Sequence, residues 1–323
     1  MKRLLTLFCL LNALVARADS VILVIGDGMG FEAMKRAQDG GGPWSAFPYF
    51  TAIETTNPFC GVPDSASTAT AIATGIFTEN GMLAVTPDGA VLRTVAEEAR
   101  DRGLRVGMFT NDEITGATPA AFYAHQPSRR AMPEIAVDLL RSGFSLFMGG
   151  GRAWFETDKT RAAGYAWRTD IAAPLSLPTV VLLWNHEMPG LMRDPATGRL
   201  LPLVQAAVEA LEKGPGDYFI MVENGLIDAA GHNNDAAGIE AETRNLGETV
   251  GWLLERVQRK PGMALLVTAD HETGGFDCLT GAFQTKGHTT RPVALLSTRP
   301  LPVSLSDQTD LHRFLKELLF APK

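Results

Sequence analysis

The sequence predicts an α/β protein of three layers, in which helices cover both faces of a central, mainly parallel sheet. Short runs rich in Val, Ile, Leu and Phe alternate with helical segments along the chain. The runs are apolar at almost every position, as strands are when helices bury both faces of a sheet. A composition of 46% hydrophobic and 20% charged residues is typical of a globular chain.

The predicted elements follow from periodicity and from glycine stops. Seven apolar runs are predicted to be strands: residues 20–26, 105–110, 144–149, 179–184, 217–222, 263–269 and 292–297. Apolar residues recur at intervals of three and four in the predicted helices: 66–74, 89–102, 131–142, 202–213 and 236–258. Residues 152–200 are less regular, and an insertion or a partly separate lobe would lie there. No linker composition divides the chain, so residues 19–323 are predicted to form a single domain.

Residues 1–18 have the pattern of a cleavable secretory signal peptide. Two basic residues precede an apolar run over 4–15, and small residues follow it up to Ala18. The run is too short for a permanent membrane span, and cleavage is predicted after Ala18. We therefore expect a periplasmic or extracellular protein without a membrane anchor. A first core helix is the alternative.

The chain is acidic, with a formal net charge of −7 that becomes −10 when the three basic residues of the first 18 are removed. A field of that sign disfavours general binding to nucleic acid. An anionic substrate would therefore need a local positive centre.

Two cysteines, Cys60 and Cys278, remain in the predicted mature chain. Export permits a disulfide between them, but the sequence does not determine whether they come close enough to form one. Two buried thiols are the alternative.

Acidic residues follow three of the predicted strands. Asp27 follows the first strand, Glu223 the fifth, and Asp270 with His271 the sixth. The carboxyl ends of parallel strands meet at one edge of a doubly wound sheet, where ligands bind. One such acid is usually a helix cap or a turn former. Three at one edge need charge compensation, which suggests a cation.

Further histidines extend this candidate set. Asp228 and His232 lie four residues apart, so both side chains point the same way on a helix. His288 precedes the last predicted strand. Histidine with carboxylate suits zinc, whereas carboxylate, hydroxyl and water suit magnesium. Together these residues favour two or three metal ions.

Ser65 and Arg129 are candidates for chemistry on a phosphate group. Ser65 comes just before the helix predicted at 66–74, where anions bind, although a serine there is usually only an N-cap. No Ser-His-Asp spacing accompanies it, so a metal ion would have to activate its hydroxyl. Thr118 offers a hydroxyl ligand. Arg129 has a planar guanidinium that could bind two phosphate oxygens. The alternative interpretation is that the two arginines of SRR are a solvated pair of charges.

Six segments of the chain together resemble the alkaline phosphatase family. They are GDGMG, PDSASTATA, GATPAAFYAH with SRR, VENGLIDAAGHNND, TADHETGG and GHTT, in the family's order from residue 21 to about 290. The resemblance implies the family's fold and a phosphomonoesterase that acts through a phosphoserine.

The resemblance also implies two zinc ions and one magnesium ion. The ligands of the first zinc, which would stabilise the leaving oxygen, would be Asp228, His232 and His288. The ligands of the second zinc, which would activate Ser65, would be Asp27, Asp270 and His271. The magnesium ligands would be Asp27, Thr118 and Glu223, and Arg129 would bind the phosphoryl group.

Two positions depart from the family's pattern. Members often carry Asp or His where this chain has Gly116, and Lys or His where it has Ala229. We therefore expect the third site to bind magnesium loosely or to bind another ion. The chain has no room for a large crown-like insertion, so a homodimer built on one is not expected, while another homodimer stays open.

Other branches of the superfamily remain alternatives, namely phosphodiesterases, arylsulfatases and cofactor-independent mutases. A sulfatase needs Cys/Ser-x-Pro-x-Arg, which PDSAS lacks, and Arg129 would occupy the space of a second ester group. A secreted protein that binds metal or phosphate without turnover is the alternative of another class. Binding alone would not need the hydroxyl of Ser65 between two metals.

Overall fold

The computed structural model describes residues 17–38 and 42–322 and contains a large, mostly parallel sheet flanked by helices. The strands are β1 (Ser20–Gly26), β2 (Tyr49–Ile53), β3 (Arg105–Glu113), β4 (Leu146–Gly150), β5 (Ala166–Arg168), β6 (Thr179–Leu182), β7 (Tyr218–Asn224), β8 (Met263–Thr268), β9 (Glu272–Thr273), β10 (His288–Thr289) and β11 (Val293–Ser297). The α-helices are α1 (Phe31–Gln38), α2 (Ser65–Thr74), α3 (Val95–Asp101), α4 (Ala117–Ala120), α5 (Met132–Arg141), α6 (Thr157–Ala162), α7 (Leu200–Lys213), α8 (Leu226–His232), α9 (Ala236–Arg259) and α10 (Gln308–Phe320).

The main sheet has the strand order β2-β11-β8-β1-β7-β3-β4-β6-β5. Strand β11 is antiparallel to both of its neighbours, β8 and β2, whereas the other neighbouring strands of this sheet are parallel. Every residue of β1, β7 and β8 is buried, which is why these strands are apolar along most of their length and carry polar residues only near their ends. The predicted α/β fold is confirmed.

Helices pack in two groups on the sheet. Helices α2, α3, α4 and α10 contact one another, and α1, α7 and α8 contact α9. Members of both groups also contact strands of the sheet, so both of its faces are covered. In the described part of the chain, no helix is both long enough and apolar enough to cross a membrane.

The helix predicted at 89–102 is wrong at its start, because α3 begins only at Val95. Thr94 caps this helix: its side chain accepts from the backbone of Glu97, and the Glu97 side chain accepts from the backbone of Thr94. Val91 instead forms a bridge with Val85. Strands β2 and β5 and helix α10 were not predicted, and β3 continues to Glu113, three residues beyond its predicted end.

The predicted signal peptide lies outside the described residues, except for Arg17 and Ala18. Ala18 is buried and donates its N–H to the carbonyl of Leu318 at 2.7 Å, while Arg17 pairs with Asp217 at 3.1 Å. Cleavage after Ala18, which would remove both contacts, stays a prediction.

The two cysteines form neither a disulfide nor a pair of buried thiols, which were the two alternatives from the sequence. Both are free thiols, and Cys278 is buried whereas Cys60 is exposed. Cys60 lies in a tight turn closed by Asn57 and Gly61, which holds it at the surface.

Candidate active site

The candidate side chains lie at the carboxyl edge of four adjacent strands, β8, β1, β7 and β3. Asp27 directly follows β1, and Glu223 is the penultimate residue of β7. Ile25 of β1 pairs with Glu223 on one side and with Thr268, the last residue of β8, on the other. The parallel register therefore brings three separate segments to one place, because equivalent strand ends lie side by side.

One group of ligand atoms surrounds the side chain of His271. Its Nε2 lies 3.2 Å from Ser65 Oγ, 3.2 Å from Asp270 Oδ2 and 3.6 Å from Asp27 Oδ1. Ligand atoms of a tetrahedral zinc ion with bonds of about 2.0–2.1 Å lie about 3.3 Å apart. Asp27 Oδ1 and Asp270 Oδ2 are buried and have no hydrogen-bond partner among the described residues, as is expected of oxygens that bind a cation. The arrangement therefore fits a metal ion.

A second group is formed by Asp228, His232 and His288. His232 Nε2 lies 3.2 Å from Asp228 Oδ2 and 3.1 Å from His288 Nε2, and His288 Nε2 lies 3.7 Å from Asp228 Oδ1. The Nδ1 atoms of the two histidines face the carbonyls of Lys286 and Pro63, at 2.5 and 2.8 Å. Since a carbonyl only accepts, each Nδ1 carries a proton, and in a neutral ring Nε2 is the nitrogen that can bind a metal ion. The two Nε2 atoms and the Asp228 carboxylate are therefore placed as ligands of one cation would be.

Short backbone segments hold the two groups together. Strand β10 pairs with β9 and brings His288 beside His271, whose rings stack with centroids 3.6 Å apart. Thr273 of β9 donates a hydrogen bond to Asp228. Gly28 has φ of +70°, and a Cβ there would lie 2.8 Å from the Cα of Asp228. Only glycine therefore allows the turn after β1 to approach α8 this closely.

A third group lies on the other side of Asp27. Thr118 Oγ1 donates to Asp27 Oδ2 at 3.3 Å, and Glu223 accepts a hydrogen bond from Thr110. Thr118 is also near enough to Glu223 to act against the rise in its pKa. Burial raises the pKa of Glu223 to about 8, and the negative charge of Asp112 adds to this effect. Hydroxyl and carboxylate oxygens of this kind are the ligands that Mg²⁺ prefers.

Ser65 is the first residue of α2, and the N-cap is Asp64 rather than Ser65. The side chain of Asp64 accepts from the backbone N–H of Ser67 at 3.0 Å, from that of Gly81 at 3.0 Å and from Arg129 Nη1 at 3.1 Å. Asp64 therefore caps the helix and also orients Arg129. Ser65 is left buried at the positive end of the helix dipole, where negative charge is stabilised.

Burial and the charges of neighbouring groups shift the pKa values of several acids and histidines in the site. Burial raises the pKa of Asp27 well above its ordinary value, and the charges of Asp270 and Asp228 raise it further. Burial likewise raises the pKa of Asp270 to about 7. Burial also acts to raise the pKa of Asp228, but its hydrogen bond with His232 and the charge of His271 outweigh burial and lower it. Burial and the charge of His288 lower the pKa of His271.

Metal-free protein is expected to become less stable as the pH rises from 6.5 to 8. Asp270 and Glu223, with pKa values of about 7 and about 8, hold protons in the folded state that the unfolded chain has already released. Each such proton lowers the free energy of unfolding by about 1.4 kcal/mol per pH unit while it is held. His232, whose pKa its bond to Asp228 raises to about 9, acts in the same direction. Unfolded histidine is mostly neutral above 6.5, so His271 contributes little there.

Urea unfolding of chelator-treated protein at several pH values measures this effect. Glu223→Gln is the matched control, because it removes one of these protons and should show a shallower dependence. Reloading with zinc should flatten the curve, and a flat curve in metal-free protein would contradict the prediction.

Three residues near the candidate set were not singled out in the sequence: Asp64, Asp112 and Thr273. Asp112 lies at the carboxyl end of β3. The predicted strand ended at residue 110, so Asp112 was not recognised as a residue at a strand end. Asp64 stands immediately before Ser65, where a capping residue was expected one position later. Thr273 carries no local signal, because its contact with Asp228 spans 45 residues.

The family model described as alkaline phosphatase matches residues 18–170 and 182–300. Alkaline phosphatase 4 of Bacillus subtilis is 29% identical over 332 residues, covering 94% of this chain and 71% of the relative. Alkaline phosphatase of Escherichia coli is 26% identical, covering 79% of this chain and 70% of the relative.

Solved structures agree with this match. The alkaline phosphatase of the Antarctic bacterium TAB5 superposes with a TM-score of 0.88 at 26% identity, covering 96% of this chain and 100% of that one. A mutant of that enzyme with the same score is described as having Mg bound in the M3 site. The chain therefore belongs to the alkaline phosphatase family, and it is a phosphatase.

Proposed function

We propose that the chain is a secreted phosphomonoesterase that acts through a phosphoserine at Ser65, at a site for two zinc ions and one magnesium ion. The observation that carries the proposal is the position of the Ser65 hydroxyl. It lies 3.2 Å from His271 Nε2, within a group of nitrogen and oxygen donors and at the N-terminus of α2. A hydroxyl in such a place is suited to attack a phosphate group.

The described side chains fit the three ions. Asp228, His232 and His288 would hold one zinc ion, and Asp27, Asp270 and His271 the other. Asp27, Thr118 and Glu223 offer the oxygen donors that suit magnesium. Bound zinc would supply Lewis acidity at the attacking and leaving oxygens, and magnesium would compensate buried negative charge.

Ser65 carries the covalent part of the reaction. Its hydroxyl loses the proton to solvent and its oxygen forms a bond to phosphorus, while the ester oxygen leaves with the electrons of its own bond to phosphorus and takes up a proton from solvent as the alcohol. Water then attacks the phosphorus, the Ser65 oxygen leaves and is protonated again, and phosphate is released. Arg129 binds phosphoryl oxygens through its planar fork, which Asp64 holds in position. His271 is not the base of a Ser-His-Asp triad, because its Nδ1 faces the hydroxyl of Thr273 at 3.2 Å rather than a carboxylate.

Export belongs to the same proposal and rests on the sequence. A signal peptide over residues 1–18 would be cleaved after Ala18, and residues 19–323 would form the catalytic domain. In an acidic protein, the metal centre and Arg129 would supply the local positive charge that attracts a small phosphate monoester.

The proposal predicts two tightly bound zinc ions per chain and hydrolysis of an aryl phosphate monoester that a chelator abolishes and zinc restores. Metal analysis by mass spectrometry, together with hydrolysis assays before and after chelation, measures both. An aryl phosphodiester assayed in parallel is the control for substrate class. Faster diester hydrolysis would indicate a phosphodiesterase. Metal binding without turnover would indicate a binding protein, and chelator-insensitive hydrolysis without zinc would refute the metal site.

A further inference from the structure

Asp112 is an acidic residue that the three proposed metal sites do not use. A Cβ on Gly116 would lie 3.5 Å from Asp112 Oδ2 and 2.8 Å from the carbonyl oxygen of Glu113. The second distance leaves no room for a side chain at position 116 without a backbone shift. The Asp112 carboxylate therefore lies in van der Waals contact with the position at which such a side chain would begin.

The same carboxylate also lies against the end of β7. A Cβ on Gly225 would lie 3.0 Å from the Cβ of Asp112, and Gly225 is two residues beyond Glu223. Among neighbouring charges, that of Asp112 has the largest effect on Glu223. Asp112 is thus close to the segments that carry Thr118 and Glu223.

The hydrogen bonds of Asp112 leave one of its oxygens available. Oδ1 accepts from the backbone N–H of Glu113 at 2.7 Å, and no hydrogen bond to Oδ2 is found among the described residues. Glu113 differs, because its carboxylate accepts from Trp154 at 2.6 Å and contacts His186 at 2.7 Å. The carboxylates of Asp112 and Glu113 therefore contact different groups, although the two residues are adjacent in the chain.

We propose that Asp112 is an additional acidic group of the third metal site and takes the place of a side chain at position 116. The inference rests on the proposed function, to which it adds a residue. Asp112 joins Asp27, Thr118 and Glu223 in a set of oxygen donors of the kind that Mg²⁺ binds. The expectation of loose magnesium binding, which rested on Gly116, stays a prediction that the measurements below compare with this proposal.

Asp112→Asn tests the proposal, because asparagine keeps an acceptor for the Glu113 N–H and removes the charge. Magnesium affinity of the zinc-loaded protein is measured by calorimetric titration and by the rise in Tm that magnesium produces. We expect affinity to fall by about tenfold or more, with zinc content unchanged. Glu113→Gln is the matched control, since it removes the same charge one residue away and should bind magnesium like the wild type.

Asp112→Glu keeps the charge and is expected to lose less affinity than Asp112→Asn. The inference is overturned when both variants bind magnesium as the wild type does, or when Glu113→Gln weakens binding equally. It is also overturned when the wild type binds two zinc ions but no magnesium, a result that leaves the proposed hydrolysis intact. Absence of zinc and of hydrolysis, with magnesium binding that still depends on Asp112, would overturn the proposed function alone.

Discussion

Replacing Ser65 with Ala is expected to lower phosphomonoester hydrolysis by about a thousandfold or more, because the covalent step loses its nucleophile. The alanine variant should still bind zinc, since Asp27, Asp270 and His271 remain. Steady-state kinetics with an aryl phosphate measure the loss. Acid quenching with labelled phosphate should trap a phosphoprotein in the wild type and none in Ser65→Ala.

Thr74→Ala is the control for this variant. Thr74 lies in the same helix, and its hydroxyl donates to the backbone of Thr70 at 2.7 Å, away from the candidate ligands. Its loss should lower stability slightly and leave turnover unchanged. If Ser65→Ala retains wild-type turnover with a normal zinc content, the attacking oxygen is not that of Ser65, and the phosphoserine route is wrong.

Two single variants, Asp228→Asn and Glu223→Gln, are expected to lose different metal ions, although the two residues lie only five positions apart in the chain. Asp228→Asn should lose one zinc ion per chain and lower turnover by about a thousandfold or more, because zinc needs its full set of ligands. Glu223→Gln should keep both zinc ions and lose magnesium. Metal content of each purified variant, determined after dialysis against a weak chelator, measures the separation.

Asp235→Asn is the control for these two variants. The side chain of Asp235 accepts from Gly238 N at 2.9 Å and caps α9, so its replacement should affect stability and not metal content. Loss of zinc from Glu223→Gln with magnesium retained would contradict the assignment of Glu223. Loss of both zinc ions from Asp228→Asn would mean that the two zinc sites are not independent.

Local patterns predicted most of the fold, because the buried positions of a strand or helix carry apolar residues at recognisable spacings. Strands such as β1, β7 and β8 are buried on both faces, so their central residues are all apolar and the strands are easily recognised. The start of α3 was missed because its N-cap, Thr94, depends on a reciprocal bond with Glu97 rather than on apolar spacing. The short edge strand β5 was missed because it is only partly buried and carries a weaker pattern.

The candidate site was predictable to the extent that its residues directly follow strands or share one helical turn. Asp228 and His232 lie on α8 as their spacing predicted, and their atoms approach to 3.2 Å. The partners that orient these residues were not predictable. Asp64 holds Arg129 across 65 residues, and this pairing depends on how the loop at Gly81 packs on α2.

By itself the sequence determined the order of strands and helices and the identity of the acids, histidines and serine at the strand ends. These properties are local, because periodicity and the residue after a strand can be read without knowing what lies across the sheet. Only the tertiary structure decided that Glu223 lies with Thr118 and Asp27, while Asp228 lies with His288. It also decided that Asp112 lies against Gly116, since that proximity arises from a turn of the backbone and from the packing of β7 against β3.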